Sequence, residues 1–433
     1  MFPDFHYLFR FLFNIDLPGL SLVKTFGFFV AMAFLAGAWV LAKELRRKKD
    51  QGLFQPEIIT EETGKPATTA ELVWMAVLGF IVGFKVLGLI GEASVVSRDP
   101  IGYILSVQGN ILGGLALAAV FTYSRYSAKK KAQLPVPKKQ KLAVYPHQRV
   151  ADIIFIAALG GFGGAKIFNA FESWDDFMAD PVGNLLSPSG LTFYGGLIVA
   201  TVALYIYARA KKFSFAHLCD AAAPALMLAY GIGRLGCQFS GDGDWGIYNS
   251  AYVTQADGSL SPATPEQYDS TVRMYPQVFL DRNDKQITPS RYTPAPGWMP
   301  DWLYAQNFKH NVNNDGIPIA GDKGEYNHVL PAGVFPTSMY EAVVCILLFA
   351  VLWSIRKRFK RPLQLFGVYL ILNGLERFIV ELFRVNYKYD WGFIQPTQAE
   401  IIAGSLIIAG ILLFLFYKPK QLSQDGRVDQ EAL

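Results

Sequence analysis

Between Gly231 and Gly246 the chain reads GIGRLGCQFSGDGDWG, an arginine among glycines where an apolar segment meets a long polar stretch. Arginine presents a planar fork of donors suited to phosphate, and glycines let backbone amides approach a ligand closely. A second set follows at Arg377, Glu381 and Arg384, spaced i, i+4 and i+7, so that all three share one face of a helix. Glu341, preceded by Tyr340, lies a turn inside another apolar segment. Ionisable groups within apolar segments are costly, and by default they mark function. The chemistry these residues suit is capture of an anionic lipid headgroup at a membrane surface.

The elements that must position them are membrane helices. Of 433 residues 52% are hydrophobic and 17% charged, with a mean hydropathy of +0.24, which leaves too few polar residues to cover a soluble globule. Apolar segments long enough to span a hydrocarbon layer run over about nine stretches: 24–42, 72–91, 104–124, 150–171, 191–209, 216–236, 338–355, 363–383 and 398–417. Basic clusters follow every odd-numbered segment, at Lys43 to Lys49, Lys129 to Lys141, Arg209 to Lys212, Arg356 to Arg361 and Lys418 to Arg427. The positive-inside rule then predicts an outer N-terminus and a cytoplasmic C-terminus. Asp4 and Asp16, with no basic start, argue against a cleavable signal, and Met1 to Leu22 reads as an aromatic entry segment at the outer interface. Cys219, Cys237 and Cys345 fall in or beside helices and form no disulfide framework.

Four regions are expected: 1–149 with the first span and an extra hairpin, 150–239 with the arginine-glycine run, a polar outer insert at 240–335, and 336–433 with the remaining spans and tail. Residues 82–109 and 163–190 align without a gap at an offset of 81, and GGL recurs at 113 and 195, which predicts a duplicated helical hairpin in parallel orientation. The repeat makes Lys85 and Lys166 equivalent; each either snorkels to the surface or serves a site. NVNNDGIPIAGD at 311–322 has calcium-loop spacing but no terminal glutamate, so an Asn/Gly turn is expected. His310 and His328 have no partner at metal-ligand spacing and read as solvated.

On this topology four runs reach one face: GLTFYGGL at 190, GRLGCQ at 233, FPTSMYE at 335 and ERFIVELFR at 376. Asp220, near the other end of its span, reads as structural. Cys237 reads as a small packing residue, with activation beside Arg234 as the alternative. The charges of 377–384 suit either a self-neutralised helix end or a binding site.

These runs resemble the prolipoprotein diacylglyceryl transferase family, whose signature has the form GRxGNxxNGE where this chain has GRLGCQFSGD. FMADP at 177, GGLI at 195, PTSMYE at 336 and GLERFIVELFR at 374 are similar to the family in order and placement. The resemblance covers about 150–417 and the first span. It implies an all-α polytopic enzyme of the bacterial inner membrane, with its site at the periplasmic leaflet, that moves a diacylglyceryl group from phosphatidylglycerol to the lipobox cysteine of a prolipoprotein signal peptide. It implies Arg234 and Arg377 as phosphate ligands, Glu381 as an orienting group, and Asp242 where the signature has glutamate. Tyr194 stands at a catalytic histidine position, and Lys166, Gly195, Gly196, Gly233, Gly236, Cys237, Tyr340, Glu341 and Arg384 complete the expected site. No cofactor, metal or nucleic acid is expected.

Three positions depart from the family pattern: Tyr194 replaces histidine, Phe26 stands where a tyrosine precedes Gly27, and Cys237 replaces asparagine. An unperturbed tyrosine has a pKa of ~10 and needs activation to act as a base near neutrality. Two other readings are a catalytically silent lipid- or lipoprotein-binding paralogue and a transporter. A transporter would place its polar groups near the bilayer midplane, not at one surface.

Overall fold

A computed structural model describes residues 1–89, 103, 106–187, 190, 192–280, 288–384, 389, 390, 392 and 395–417. The basic cluster expected at Lys418 to Arg427 and part of the internal repeat lie outside the described residues. The chain is a predominantly helical polytopic membrane protein. Among the described residues, its α-helices of nine residues or more are α1 (Phe5–Phe13), α2 (Thr25–Asp50), α3 (Thr69–Gly88), α4 (Ile111–Lys131), α5 (Val150–Glu172), α6 (Phe193–Ala210), α7 (Phe215–Ser240), α8 (Pro265–Met274), α9 (Thr337–Ile355), α10 (Gln364–Glu381) and α11 (Gln398–Phe416). Among the described residues, α2, α3, α5, α7, α9 and α11 are long and apolar enough to cross a membrane, and α6 is a shorter apolar helix. The helix of the third expected segment starts later than its hydropathy suggests, because Asn110 caps it by accepting from the amide of Gly113 at 2.8 Å.

The chain divides into two compact units: residues 1, 29–45 and 216–433 form the first, and 2–28 and 46–215 the second. In the second unit the repeat is realised as two hairpins, α3 with α4 and α5 with α6. Glycines let each pair of backbones approach: a Cβ on Gly83 would lie 2.2 Å from the carbonyl oxygen of Gly113, and one on Gly164 would lie 2.5 Å from that of Gly195. The equivalent lysines do equivalent work. Lys85 donates to the carbonyl of Tyr103 at 2.7 Å and Lys166 to that of Asn184 at 3.0 Å, positions related by the same offset of 81. Each ammonium therefore turns inward and ties the connecting segment to its helix. The linkers outside the hairpins carry an antiparallel pair that hydropathy did not signal, β1 (Glu57–Thr63) with β2 (Lys138–Val144). Glu62 of β1 faces Lys139 of β2 and pairs with it, so cross-strand charge supports an otherwise exposed ribbon.

The first unit packs α7, α9 and α10 around Ala223, Met227, Cys345, Leu352 and Leu365. Gly367 and Gly374 lay α10 against α11, where Cβ atoms would meet the carbonyls of Gly410 and Ala403 at 2.7 Å. Asp220 caps α10, accepting the amides of Leu363 and Phe366 at 3.0 Å each, which gives it the structural role expected. The insert is a small β-rich lobe. Strand β3 (Tyr248–Thr254) pairs with β4 (Leu260–Pro262), with β5 (Ser290–Arg291) and with β8 (Ala332–Val334), while β6 (Ile317–Pro318) pairs with β7 (His328–Val329). Tyr248, Tyr268, Phe279, Phe308 and Leu330 form its core.

Candidate active site

Four elements of the first unit deliver charge to one place. Arg234 comes from the last turns of α7, Glu341 from the second turn of α9, Arg377 and Glu381 from the end of α10, and Arg384 from just beyond it. Glu341 is fully buried and three arginines converge on it: Arg234 through Nε to Oε2, Arg377 at 3.2 Å and Arg384 at 3.3 Å, both to Oε1. Arg377 also reaches Glu381 at 3.3 Å, the i, i+4 pair expected from spacing. The guanidinium of Arg234 lies 5.3 Å from the Tyr230 ring centroid, a cation–π contact one turn back on its own helix. The arginine side chains are 12–25% exposed, so a ligand can still reach them.

The third acid is Asp244, which pairs with both Arg234 and Arg384. It sits in the turn after α7, where Gly241 and Gly243 adopt left-handed φ of +66° and +92° that other residues rarely take. That turn is held from two sides. Thr337 donates to the Asp244 carbonyl at 3.1 Å, and Asn313 donates to the Asp242 carbonyl at 2.9 Å. The 311–322 segment thus buttresses the signature turn; Asn311 is spent on the carbonyls of Phe308 and Asp315 and on the amide of Asp315, as in an Asn/Gly turn.

Of the expected residues, Arg234, Glu341, Arg377, Glu381 and Arg384 join one network. Cys237 is buried with Sγ 3.8 Å from Arg234, and Gly236 is buried beside it. Gly233 has no protein atom within 4 Å of where a Cβ would be, so packing does not require a glycine there. Asp242 makes no ion pair among the described residues and accepts the amide of Asp244 at 3.3 Å. Tyr340 donates to the carbonyl of Leu303 in the insert. Tyr194, Gly195, Gly196 and Lys166 belong to the second unit. There Gly195 and Gly196 serve helix packing, since Cβ atoms would strike Phe168 and the Gly161 carbonyl. Tyr194 is half-buried in the first turn of α6.

Sequence reasoning missed three residues. Asp244 was passed over for Asp242 because the signature spacing points two positions earlier. Gln238, buried in the last turn of α7, accepts from Ser338 at 3.2 Å and donates to Gln306 at 2.6 Å, linking two spans and the insert. Glu376 is buried with neither carboxylate oxygen hydrogen-bonded among the described residues, and its charge is felt by Glu341, Arg234, Arg377 and Arg384. No spacing rule separates it from its helix neighbours.

Ligand atoms of Cys237, Asp242 and Asp244 lie within 4.8 Å of one another, yet Asp244 is already engaged by two guanidinium groups. Three arginines sharing one buried carboxylate favour an anion over a cation as guest.

A profile of the prolipoprotein diacylglyceryl transferase family matches residues 111–416. Relatives bearing the name phosphatidylglycerol--prolipoprotein diacylglyceryl transferase include one from Chlorobaculum tepidum, 26% identical over 72% of this chain and 86% of its own length. Another, from Dehalococcoides mccartyi, is 24% identical over 64% of this chain and 81% of its own. A third, from Xanthomonas oryzae pv. oryzae, is 26% identical over 73% of this chain and 90% of its own. With a profile match covering well over half its length, the chain belongs to the prolipoprotein diacylglyceryl transferase family.

Proposed function

We propose that the protein transfers the diacylglyceryl group of phosphatidylglycerol to the lipobox cysteine of prolipoprotein signal peptides, at the periplasmic leaflet of the bacterial inner membrane. The observation that carries this reading is the convergence of Arg234, Arg377 and Arg384 on buried Glu341. In this reading nine spans leave the N-terminus and the insert outside and the C-terminus in the cytoplasm.

The reaction forms a carbon–sulfur bond and breaks a carbon–oxygen bond. The lipobox sulfur, as thiolate, attacks the glycerol carbon of the diacylglyceryl group, and the bond to the phosphate oxygen takes its electron pair to the departing glycerol phosphate. The thiol proton passes to a base. Charge grows on the phosphate as that bond breaks, so donors fixed at its position lower the barrier without reorganising. Arg234 and Arg377 are the phosphate ligands the resemblance implies, and Arg384 joins Arg234 at Asp244, whose carboxylate bridges the two and is an anion smaller than phosphate. In this proposal the phosphate takes that place and Asp244 swings out on its glycine turn. Glu341 and Glu381 hold the guanidinium groups in position. Tyr194 stands at the family's histidine position, and two routes to the thiolate stay open, its hydroxyl as base or the field of the arginines alone.

The test is lipidation by the purified protein, given phosphatidylglycerol and a lipobox peptide. A gain of ~550 Da per thiol, retained with the product through its two apolar chains, supports the proposal. No gain with an intact, inserted protein overturns it. Tyr194→Phe then decides the base: a rate near wild type removes the tyrosine from the mechanism, and a large fall that Tyr194→His restores supports it.

A further inference from the structure

The insert displays a loop, residues 293–304, with the sequence TPAPGWMPDWLY. Its two legs are stitched to one buried side chain. Asn249 of β3 donates to the carbonyls of Thr293 at 2.8 Å and Tyr304 at 3.1 Å and accepts the amide of Thr293 at 3.1 Å. Within the loop, the hydroxyl of buried Tyr252 accepts the amide of Ala295 at 2.9 Å and donates to Asp301 at 2.8 Å. A turn closed by the amide of Met299 on the carbonyl of Pro296, at 2.8 Å, forms the tip. The loop is therefore rigid, closed at its base and packed by its own anchors, as compact surface loops are.

What this scaffold presents is apolar. Trp298 at the tip is 79% exposed and Trp302 is 54% exposed. Asp301 is the sole charged residue between 293 and 304, and Tyr252 already occupies it. Rigid exposure of two tryptophans without surrounding charge is a poor arrangement for a loop in water.

The loop's attachments fix its depth. Tyr340, in the first turn of α9, donates to the carbonyl of Leu303, and Gln238, in the last turn of α7, holds Gln306, which itself donates to the carbonyl of Trp302 at 3.0 Å. Residues 302–306 thus sit at the level where two membrane helices end, which is where bilayer hydrocarbon gives way to headgroups. Tryptophan favours that layer, with its ring body among upper acyl carbons and its N–H toward water.

We propose that loop 293–304 is a membrane-interface anchor, with Trp298 and Trp302 seated in the headgroup layer of the leaflet on the insert's side. The anchor holds the insert, and with it the Asn313 support of the turn that carries Asp244, at a set height over the arginine network. The inference rests on the membrane-spanning fold and not on the transferase reading.

The experiment uses the full chain in nanodiscs of phosphatidylethanolamine and phosphatidylglycerol, with and without bromine on the upper acyl carbons. The protein has eight tryptophans, so the signals of two are isolated by difference, wild type minus Trp298→Phe and wild type minus Trp302→Phe. Both side chains are largely exposed, and neither change removes core packing. The expected result is loss of each difference signal in brominated lipid and no loss to aqueous iodide. Quenching by iodide but not by brominated lipid overturns the proposal. Protection from iodide that arises only when a lipobox peptide is added also overturns it, and assigns the loop to peptide docking. Because the readout is fluorescence, an inactive enzyme with anchored tryptophans and an active one without them are distinguishable outcomes.

Discussion

Two buried glutamates of the first unit meet arginine near helix ends, and they differ in what their partners have left over. Glu44 of α2 takes the Nε of Arg356 at 2.6 Å; that arginine spends another donor on the carbonyl of Trp353 and lies 3.6 Å from its ring centroid. That arginine is held by its own neighbours, a carbonyl and an indole ring as well as the acid. Glu341, at the insert end, faces three arginines, and Asp244 and Glu381 share what Glu341 leaves unused. The second cluster therefore gathers three planar guanidinium forks around one carboxylate, where the first has one arginine on its acid. A single fork on a carboxylate suits a structural tie, whereas several forks converging on one point suit an anion that must be bound and released.

The comparison breaks most visibly at Arg234. Arg234→Lys keeps the charge but loses the planar fork, and lipidation of a lipobox peptide is expected to fall by about 100-fold while the protein still inserts. Activity near wild type would remove Arg234 from phosphate binding. Next in size is Asp244→Asn, which weakens the anion already held by Arg234 and Arg384. KM for phosphatidylglycerol is expected to drop by roughly three- to tenfold, or up to ~1.4 kcal/mol, with Asp242→Asn changing it less than about twofold. A raised KM in Asp244→Asn would make that carboxylate a positioning group for the arginines instead of a place-holder.

At the other end, the double change Glu44→Leu with Arg356→Met replaces a buried pair by apolar side chains of similar bulk. Stability is expected within about 1 kcal/mol of wild type or higher, and lipidation within about twofold. A tenfold loss of activity, measured beside thermal unfolding in detergent, would erase the distinction between the two clusters. The smallest effect concerns the insert. Burial, the larger cause, holds the His310 imidazole below its ordinary 6.5 against the carbonyl of Tyr326, so the folded lobe favours the neutral ring. The unfolded chain then binds the proton first, and this contribution is present above pH 6.5 and lost as pH falls through the folded value. Hydrogen exchange of the insert amides at pH 7.5 and 5.5 reads it, and His310→Gln is expected to flatten the slope.

Much of the site was legible because helical spacing is a local rule. Arg377 and Glu381, four apart, had to share a face, and the hydropathy of α7 and α9 put Arg234 and Glu341 near helix ends before any contact was known; Arg384, expected on the same face at i+7, instead comes from the turn after α10 ends at Glu381. The repeat was equally legible, since an offset of 81 carries Lys85 onto Lys166 and Tyr103 onto Asn184. What each lysine does was not, because its partner is a carbonyl in a connecting segment and backbone atoms leave no mark in residue identity. The same blindness hid the packing work of Gly195 and Gly196, whose pattern serves helix contact as readily as ligand approach.

Composition and spacing by themselves determined that the chain lives in a membrane, that its charges gather toward helix ends, and which arginines could serve one anion. Those properties depend on periodicity and on the cost of charge in hydrocarbon, which act residue by residue. The tertiary structure decided the partners: that Asp244 and not Asp242 bridges Arg234 and Arg384, that Glu341 gathers three arginines, and that Gln238 and Tyr340 hold the insert by its loop. Such choices are made across separations in sequence of up to 140 residues by side-chain reach and turn geometry, which helical periodicity does not encode.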